Sequence, residues 1–270
     1  MKKTTKAWIN LVTLAVTLAI NTLGATGVIN GLSQKEVSDR FPTLITPGPS
    51  TFSIWGVIYG LLILGAIVLI VKNNDAYYGR IQDGTGPLFW VSCALNIAWI
   101  VTFSYLLFEL SVLFILALTV TLALICKRLL ALNGHRRWLF PIAFGLYTGW
   151  LFIASVVNVS AMLVKLGWNG FGLSQETWAA VILAGAAALV VLVMMSLRNA
   201  AFPLPVAWAY LGIYMNPASP DGLLTLNGTA RTFSLIGIIV LLAAAAVRFY
   251  MNRFSVLPLY TSEPLHSGKK

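Results

Sequence analysis

Long uninterrupted apolar segments are the feature that most constrains the fold of this chain. The segment 54-IWGVIYGLLILGAIVLIV-71 has no charged residue and is about as long as a helix that crosses a bilayer. Apolar residues make up 59% of the 270 residues and charged residues 10%, against about 25% charged in soluble domains. The sequence therefore predicts an all-α, polytopic helical membrane protein and excludes soluble, secreted and disordered chains. Continuous apolar runs also exclude an outer-membrane barrel, whose strands alternate apolar and polar residues.

The pattern predicts eight membrane spans separated by polar or Pro/Gly-containing joints. The strings 46-TPGP-49 and 84-GTGP-87 mark the expected starts of the second and third spans. The seventh span is short and contains Pro203 and Pro205, so whether it crosses is the open point of the topology. The predicted spans are 8–29, 52–71, 87–107, 110–130, 138–163, 177–197, 201–216 and 232–250.

The basic residues predict how the chain is oriented. With eight spans and a cytoplasmic N-terminus, only Lys35, Arg40, Lys165 and Arg231 face outward, and both termini lie inside an expected cytoplasmic (plasma) membrane. Because these charges end apolar runs and do not cluster on one face, the sequence does not indicate nucleic-acid binding. The other fourteen of the eighteen basic residues face inward: Lys2, Lys3, Lys6, Lys72, Arg80, Lys127, Arg128, Arg136, Arg137, Arg198, Arg248, Arg253, Lys269 and Lys270.

The first span also has the charged start and apolar middle of a secretory signal peptide. It is interrupted by Asn10, Thr13, Thr17 and Asn21, whose spacing places them on one helical face. A polar face is expected of a helix that packs into a bundle, so we favour a retained helix over a cleaved signal.

The predicted spans lack the side chains that membrane enzymes and ion-coupled carriers use. They contain no buried ionisable residue of the kind that proton-coupled transport needs, and His135 and His266 fall in a loop and in the tail. No metal, phosphate-loop or nucleophile motif is present, and Cys93 and Cys126 have no pairing pattern. We therefore expect no metal site, and a protein that is not an enzyme.

Aromatic and amide residues recur at helical spacing in three spans. Each set occupies one helix face, and an Asn in hydrocarbon needs a partner, so these faces are expected to turn into the bundle. A mostly apolar hollow with few polar groups is typical of a small-molecule pocket. The alternative is that the same residues only pack helices together. The candidate binding residues are Trp55, Tyr59, Asn96, Trp99, Tyr147, Trp150, Ala154 and Asn158.

Three strings resemble one known family. The string 47-PGPSTFSIWGVIYGLL-62 is similar to the second-helix signature of the translocator protein family (TspO/MBR, the tryptophan-rich sensory proteins). The strings 93-CALNIAWIVTF-103 and 147-YTGWLFIASVVN-158 resemble the family's third and fifth helices. The resemblance covers roughly residues 8–165, so the chain looks like an enlarged relative with three extra C-terminal helices.

The resemblance implies a TspO-like five-helix bundle over residues 1–165. The sequence beyond it predicts a three-helix extension over 166–253 and a flexible cytoplasmic tail over 254–270. The resemblance also implies a cavity covered by loop 30–51. In the family this cavity binds porphyrins, haem precursors and sterol-like or synthetic aromatic ligands, with no covalent cofactor. The pocket residues that the resemblance carries over are Trp55, Asn96, Trp99, Trp150, Ala154 and Asn158.

Our leading hypothesis is a membrane protein that binds a hydrophobic, planar small molecule of porphyrin (tetrapyrrole or haem-type) or sterol-like character. One alternative is a permease-like transporter that uses all eight helices, with 201-AFPLPVAWAY-210 as a broken helix. Another is a non-catalytic structural subunit. Small-residue pairs in 56-GVIYG-60 and 145-GLYTG-149 predict close helix packing or a homodimer.

Overall fold

In a computed structural model, residues 2–132, 137–216 and 228–259 are described, and in these ranges the chain is helical without strands. His135, His266 and most of the predicted tail lie outside the described residues. The helices are α1 (Lys3–Ala25), α2 (Gln34–Asp39), α3 (Ile54–Val71), α4 (Ala76–Ser104), α5 (Phe108–Ala131), α6 (Leu139–Lys165), α7 (Gln175–Leu197), α8 (Leu204–Met215) and α9 (Thr229–Met251), with 3-10 turns at Pro49–Ser53 and Gly170–Gly172.

Seven of these helices are long and apolar enough to cross a membrane, and α8 is a shorter apolar helix. The prediction of a polytopic all-α membrane protein is confirmed. The seven are α1, α3 with its preceding 3-10 turn, α4, α5, α6, α7 and α9.

The helix α4 begins earlier than the sequence predicts. The string 84-GTGP-87 does not separate two elements, because α4 starts at Ala76 and continues through Pro87. Its start is set by Asp75, whose side chain accepts hydrogen bonds from the backbone N–H groups of Tyr77 and Tyr78. Pro87 removes only one backbone donor, which membrane helices tolerate when neighbouring groups repack around it.

The helix α8 covers only part of the predicted span 201–216. Residues 199–203 precede it as a buried, non-helical segment. Asn199 organises this segment, since its side-chain amide donates to the carbonyl of Pro141 and its side-chain oxygen accepts from the N–H of Ala201. Pro203 and Pro205 explain why the helix is short. Proline is tolerated in the first turn of a helix but not in its interior, so α8 begins at these residues and does not extend back to residue 201.

Five helices form a closed ring. The contacts run from α1 to α3, from α3 to α6, from α6 to α5, from α5 to α4 and from α4 back to α1. The helix α8 packs on α6 and on the 3-10 turn Pro49–Ser53, and α9 packs on both α7 and α8. The candidate residues lie on α3, α4 and α6, so the ring brings them to one interior.

The first residues of the predicted flexible tail are held against the bundle. The carbonyl of Val256 accepts from the N–H of Ala200, and the Asn252 amide donates to the carbonyls of Arg198 and Val256. Leu257 is buried. The described part of the chain beyond residue 253 therefore packs beside the start of the segment that leads to α8.

Candidate functional site

A cavity lies inside the helix ring, towards the end where α6 finishes and α2 begins. Five of the eight candidate residues line it: Trp55, Trp99, Trp150, Ala154 and Asn158. The other wall residues come from α2 and the residues that follow it, from α4, from α6 and from α8; they are Gln34, Ser38, Pro47, Phe52, Phe103, Ile153, Val157, Ala161 and Ala209.

Trp99 and Trp150 are turned into the bundle and do not face lipid. Trp99 is 6% exposed and Trp150 is 3% exposed, whereas Trp8 and Trp138 are 52% and 58% exposed. The ring of Trp55 lies between them, with centroid distances of 6.3 Å to Trp99 and 6.1 Å to Trp150. The wall is therefore an aromatic cluster on three helices.

The remaining three candidates, Tyr59, Asn96 and Tyr147, form a buried polar network beside the cavity wall. The hydroxyl of Tyr59 donates to Asn21 Oδ1 (2.7 Å), and the amide of Asn21 donates to Asn96 Oδ1 (2.5 Å). The amide of Asn96 donates in turn to the hydroxyl of Tyr147 (2.8 Å). Asn21 belongs to the polar face that the sequence assigns to the first helix, and here it joins α1 to α3 and α4.

Three polar atoms on the cavity walls have no hydrogen-bond partner. They are the indole nitrogens Nε1 of Trp99 and Trp150 and the side-chain oxygen Oδ1 of Asn158, all three buried. The amide nitrogen of Asn158 is satisfied, because it donates to Ser111 Oγ at 2.9 Å. Buried polar groups are normally paired, so two donors and one acceptor without a partner on three residues of one cavity wall require an explanation.

The cavity is small in this conformation. Its volume is about 60 Å³, which is room for a few water molecules and far less than the roughly 300–1,000 Å³ typical of ligand pockets. The aromatic rings that line it pack on one another, as in the edge-on contact of Phe52 and Trp150. By closed state we therefore mean this conformation, in which the cavity is too small for such a ligand.

The short helix α2, which was not predicted from the sequence, carries Gln34 and Ser38 to the cavity. The string 33-SQKE-36 contains the signal, since Ser followed three residues later by Glu is a capping box. Both bonds of the box are present, from the N–H of Glu36 to the Ser33 hydroxyl and from the N–H of Ser33 to the Glu36 carboxylate. These bonds hold the pKa of Glu36 below its ordinary value.

A second, larger cavity lies at the same end of the molecule, between α6, α7 and residues 42–45. Its volume is about 340 Å³. The rings of Trp168 and Trp178 lie 4.9 Å apart at its wall, and the indole N–H of Trp178 donates to the carbonyl of Gly170. A cavity at this place was not predicted from the sequence.

The fold and this site define a polytopic helical membrane protein with an aromatic, sparsely polar cavity inside a five-helix ring. The sequence profile of the family described as TSPO-like proteins matches residues 7–247. The chain therefore belongs to the TSPO-like family, as the three helix motifs indicated. The match runs well past residue 165 and includes most of the three C-terminal helices. No curated protein and no solved structure matches the chain.

Proposed function

We propose that this chain binds a hydrophobic, planar small molecule, of porphyrin (tetrapyrrole or haem-type) or sterol-like character, in the aromatic cavity and without covalent chemistry. The observation that carries the proposal is the set of unpaired polar atoms at the walls, Trp99 Nε1, Trp150 Nε1 and Asn158 Oδ1. Each buried group without a partner costs about 1–3 kcal/mol, and a ligand that reaches these atoms when the cavity opens, with suitably placed acceptors and a donor, removes that cost. Flat aromatic ligands suit the surrounding rings, which offer faces and edges for stacking.

Binding a molecule of that size requires the closed cavity to open. Because Trp55, Trp99 and Trp150 belong to three ring helices, the parts best able to move are the wall residues outside the ring, in α2 and the loop after it, such as Gln34 and Pro47. The ligand then selects an open conformation, and its apparent affinity depends on how often that conformation is populated.

A porphyrin titration of the purified protein in detergent tests the proposal. The Trp99→Phe, Trp150→Phe double variant keeps an aromatic ring at both positions but replaces each two-ring indole, with its N–H group, by a phenyl ring. We expect it to bind about tenfold or more weakly, as the loss of two hydrogen bonds of about 1 kcal/mol each implies. Binding is followed by the absorbance of the porphyrin, so that the loss of tryptophan does not alter the signal.

The matched control is the Trp8→Phe, Trp138→Phe double variant, in which both altered residues are more than half exposed on the outer surface. It should bind porphyrin with the affinity of the parent protein. Equal affinity in both double variants, or no saturable binding by the parent protein, would contradict the proposed site.

A transporter that uses all eight helices is the second candidate function. The observation that favours it is that α8 reaches the cavity wall through Ala209 and follows the buried non-helical segment 199–203, as in transporters with discontinuous helices. Solute uptake by reconstituted vesicles, compared with equilibrium binding in detergent, separates transport from binding alone.

We further propose that the chain lies in the cytoplasmic membrane with both termini inside, and that it acts as a binding protein and not as an enzyme. Proteins of the TSPO-like family are generally non-enzymatic. The proposed homodimer would use the α3 face at Gly56 and Gly60, where a Cβ atom would meet nothing within 4 Å. The second small-residue pair, Gly145 and Gly149, packs instead against residues of the same chain.

A further inference from the structure

The loop segment 46–53 at the mouth of the cavity is attached to α8 by three hydrogen bonds. The N–H of Gly48 donates to the carbonyl of Gly212 (3.2 Å), and the indole N–H of Trp208 donates to the carbonyl of Thr51 (2.9 Å). At the end of α8 the amide of Asn216 donates to the carbonyl of Thr46 (3.2 Å). The bonds are spread along two turns of α8, so they fix both the position and the orientation of the segment.

The contact is also close enough to require glycine. A Cβ atom added to Gly212 would lie 1.9 Å from Thr51 Oγ1 and 2.9 Å from Thr51 Cβ. Thr51 is buried, so its side chain has no free space into which to move. The same segment supplies Pro47 and Phe52 to the cavity wall, and α8 supplies Ala209 directly.

We infer that α8 is a functional part of the binding site, and that Trp208, Gly212 and Asn216 are positioning residues that hold segment 46–53 closed over the cavity. Ala209 completes the wall behind the segment. The inference rests on the proposed function for the role of the cavity. The hold of α8 on segment 46–53 controls access to the cavity and can be tested without a ligand. Opening the cavity then means separating segment 46–53 from α8 while the helix ring stays closed.

Cysteine labelling measures that access without any ligand. The probe site is Ala161→Cys, on the cavity wall and 4% exposed, in a Cys93→Ser background. The native Cys126 is the internal reference, because it is fully buried on α5 beside Thr148 and is not part of the cavity wall. A water-soluble maleimide is added to the full chain in detergent, and the rates at the two cysteines are separated by mass spectrometry of their peptides.

We expect Trp208→Phe and Asn216→Leu each to raise the labelling rate at residue 161 by about fivefold, the change in an opening equilibrium that losing one hydrogen bond produces. Gly212→Ala should raise it further, and adding Thr51→Gly should return it towards the parent value by removing the side chain that the new methyl group meets. The matched control is Trp178→Phe, which removes the same type of indole-to-carbonyl bond at Gly170, away from this cavity. It should leave the rate unchanged.

Two results would overturn the inference. One is an unchanged rate at residue 161 in Trp208→Phe, Asn216→Leu and Gly212→Ala. The other is a rate at Cys126 that rises in step with the rate at residue 161, because the whole bundle then loosens. Failure of the proposed function looks different: the labelling rates respond as expected, but porphyrin does not bind.

Discussion

Asn96 is the residue on which most of the buried polar network depends. It is fully buried on α4, and its side chain bonds to Asn21 of α1 on one side and to Tyr147 of α6 on the other. Through Asn21 the network also reaches Tyr59 of α3. One amide therefore joins four of the five helices of the ring next to the aromatic wall.

We predict that Asn96→Leu destabilises the protein about twice as much as Asn10→Leu. Asn96 loses two interhelical hydrogen bonds, whereas Asn10 loses one, in which it accepts from the indole N–H of Trp90 (2.6 Å). Each such bond in a membrane protein contributes about 0.6 kcal/mol, and at most about 1.7 kcal/mol. The expected loss of unfolding free energy is therefore about 1–3 kcal/mol for Asn96→Leu and about 0.6–1.7 kcal/mol for Asn10→Leu. Apparent melting temperatures in the same detergent measure both, and an equal loss would show that the network adds nothing to a single bond.

Residue faces were predictable from the sequence because helical spacing fixes them. The inward turn of Trp99 and Trp150 follows from Asn96 and Asn158 on the same faces, and that of Trp55 from its aromatic face with Tyr59. All three tryptophans line the cavity. The roles of Gln34 and Ala209 were not predictable, because neither lies on a periodic face of a span that the aromatic motifs mark. Their positions depend on how the loop and α8 fold against the ring.

At the scale of the elements, the contact between α6 and the start of α8 decides how the C-terminal helices join the ring. A Cβ atom at Gly149 would lie 2.1 Å from the carbonyl oxygen of Phe202 and 2.6 Å from Pro205 Cγ. One turn earlier, a Cβ atom at Gly145 would lie 2.6 Å from Asn199 Oδ1. The two glycines thus form a groove in α6 that receives segment 199–205.

We predict opposite effects of the same substitution at two glycines. Gly149→Ala should destabilise the protein by about 1–3 kcal/mol or more, because backbone atoms would have to move to relieve the overlap. Gly185→Ala, on α7, should be neutral or slightly stabilising, because its Cβ meets nothing within 4 Å and Ala favours helix over Gly. Thermal unfolding of both variants in detergent checks the signs, and a stable Gly149→Ala protein would contradict the groove packing.

Element bounds were less predictable than element types. The sequence predicted a break at 84-GTGP-87, because three glycine or proline residues among four normally indicate a loop. The structure has a continuous helix there. The Asp75 cap and the packing of α4 on both α1 and α5 outweigh that local preference. The short length of α8 had a visible cause in Pro203 and Pro205, but the buried course of residues 199–203 depends on Asn199 and on its partner Pro141.

On the scale of the whole molecule, contacts divide the bundle into two ends. At one end Lys6 pairs with Asp83, Arg137 bonds to the hydroxyl of Tyr78, and the amide of Asn252 donates to the carbonyl of Arg198. At the other end Lys165 pairs with Glu109, and Asn216 bonds to Thr46. The basic residues concentrate at the first end, which the positive-inside rule assigns to the cytoplasm.

The crossing of α8 determines on which side the chain finishes, so it makes a sharp prediction about topology. We introduce single cysteines at Asn74, Leu173 and Phe254, which are exposed in the turn before α4, in the loop before α7 and after α9. In intact cells a membrane-impermeant maleimide should label only Leu173→Cys, and all three sites should be labelled after permeabilisation. If α8 did not cross, α9 would run in the opposite direction and Phe254→Cys would be labelled in intact cells. The stretch 198–216, which contains α8, runs from Arg198, which contacts Asn252, to Asn216, which contacts Thr46 at the other end. We therefore expect Phe254→Cys to be protected together with Asn74→Cys.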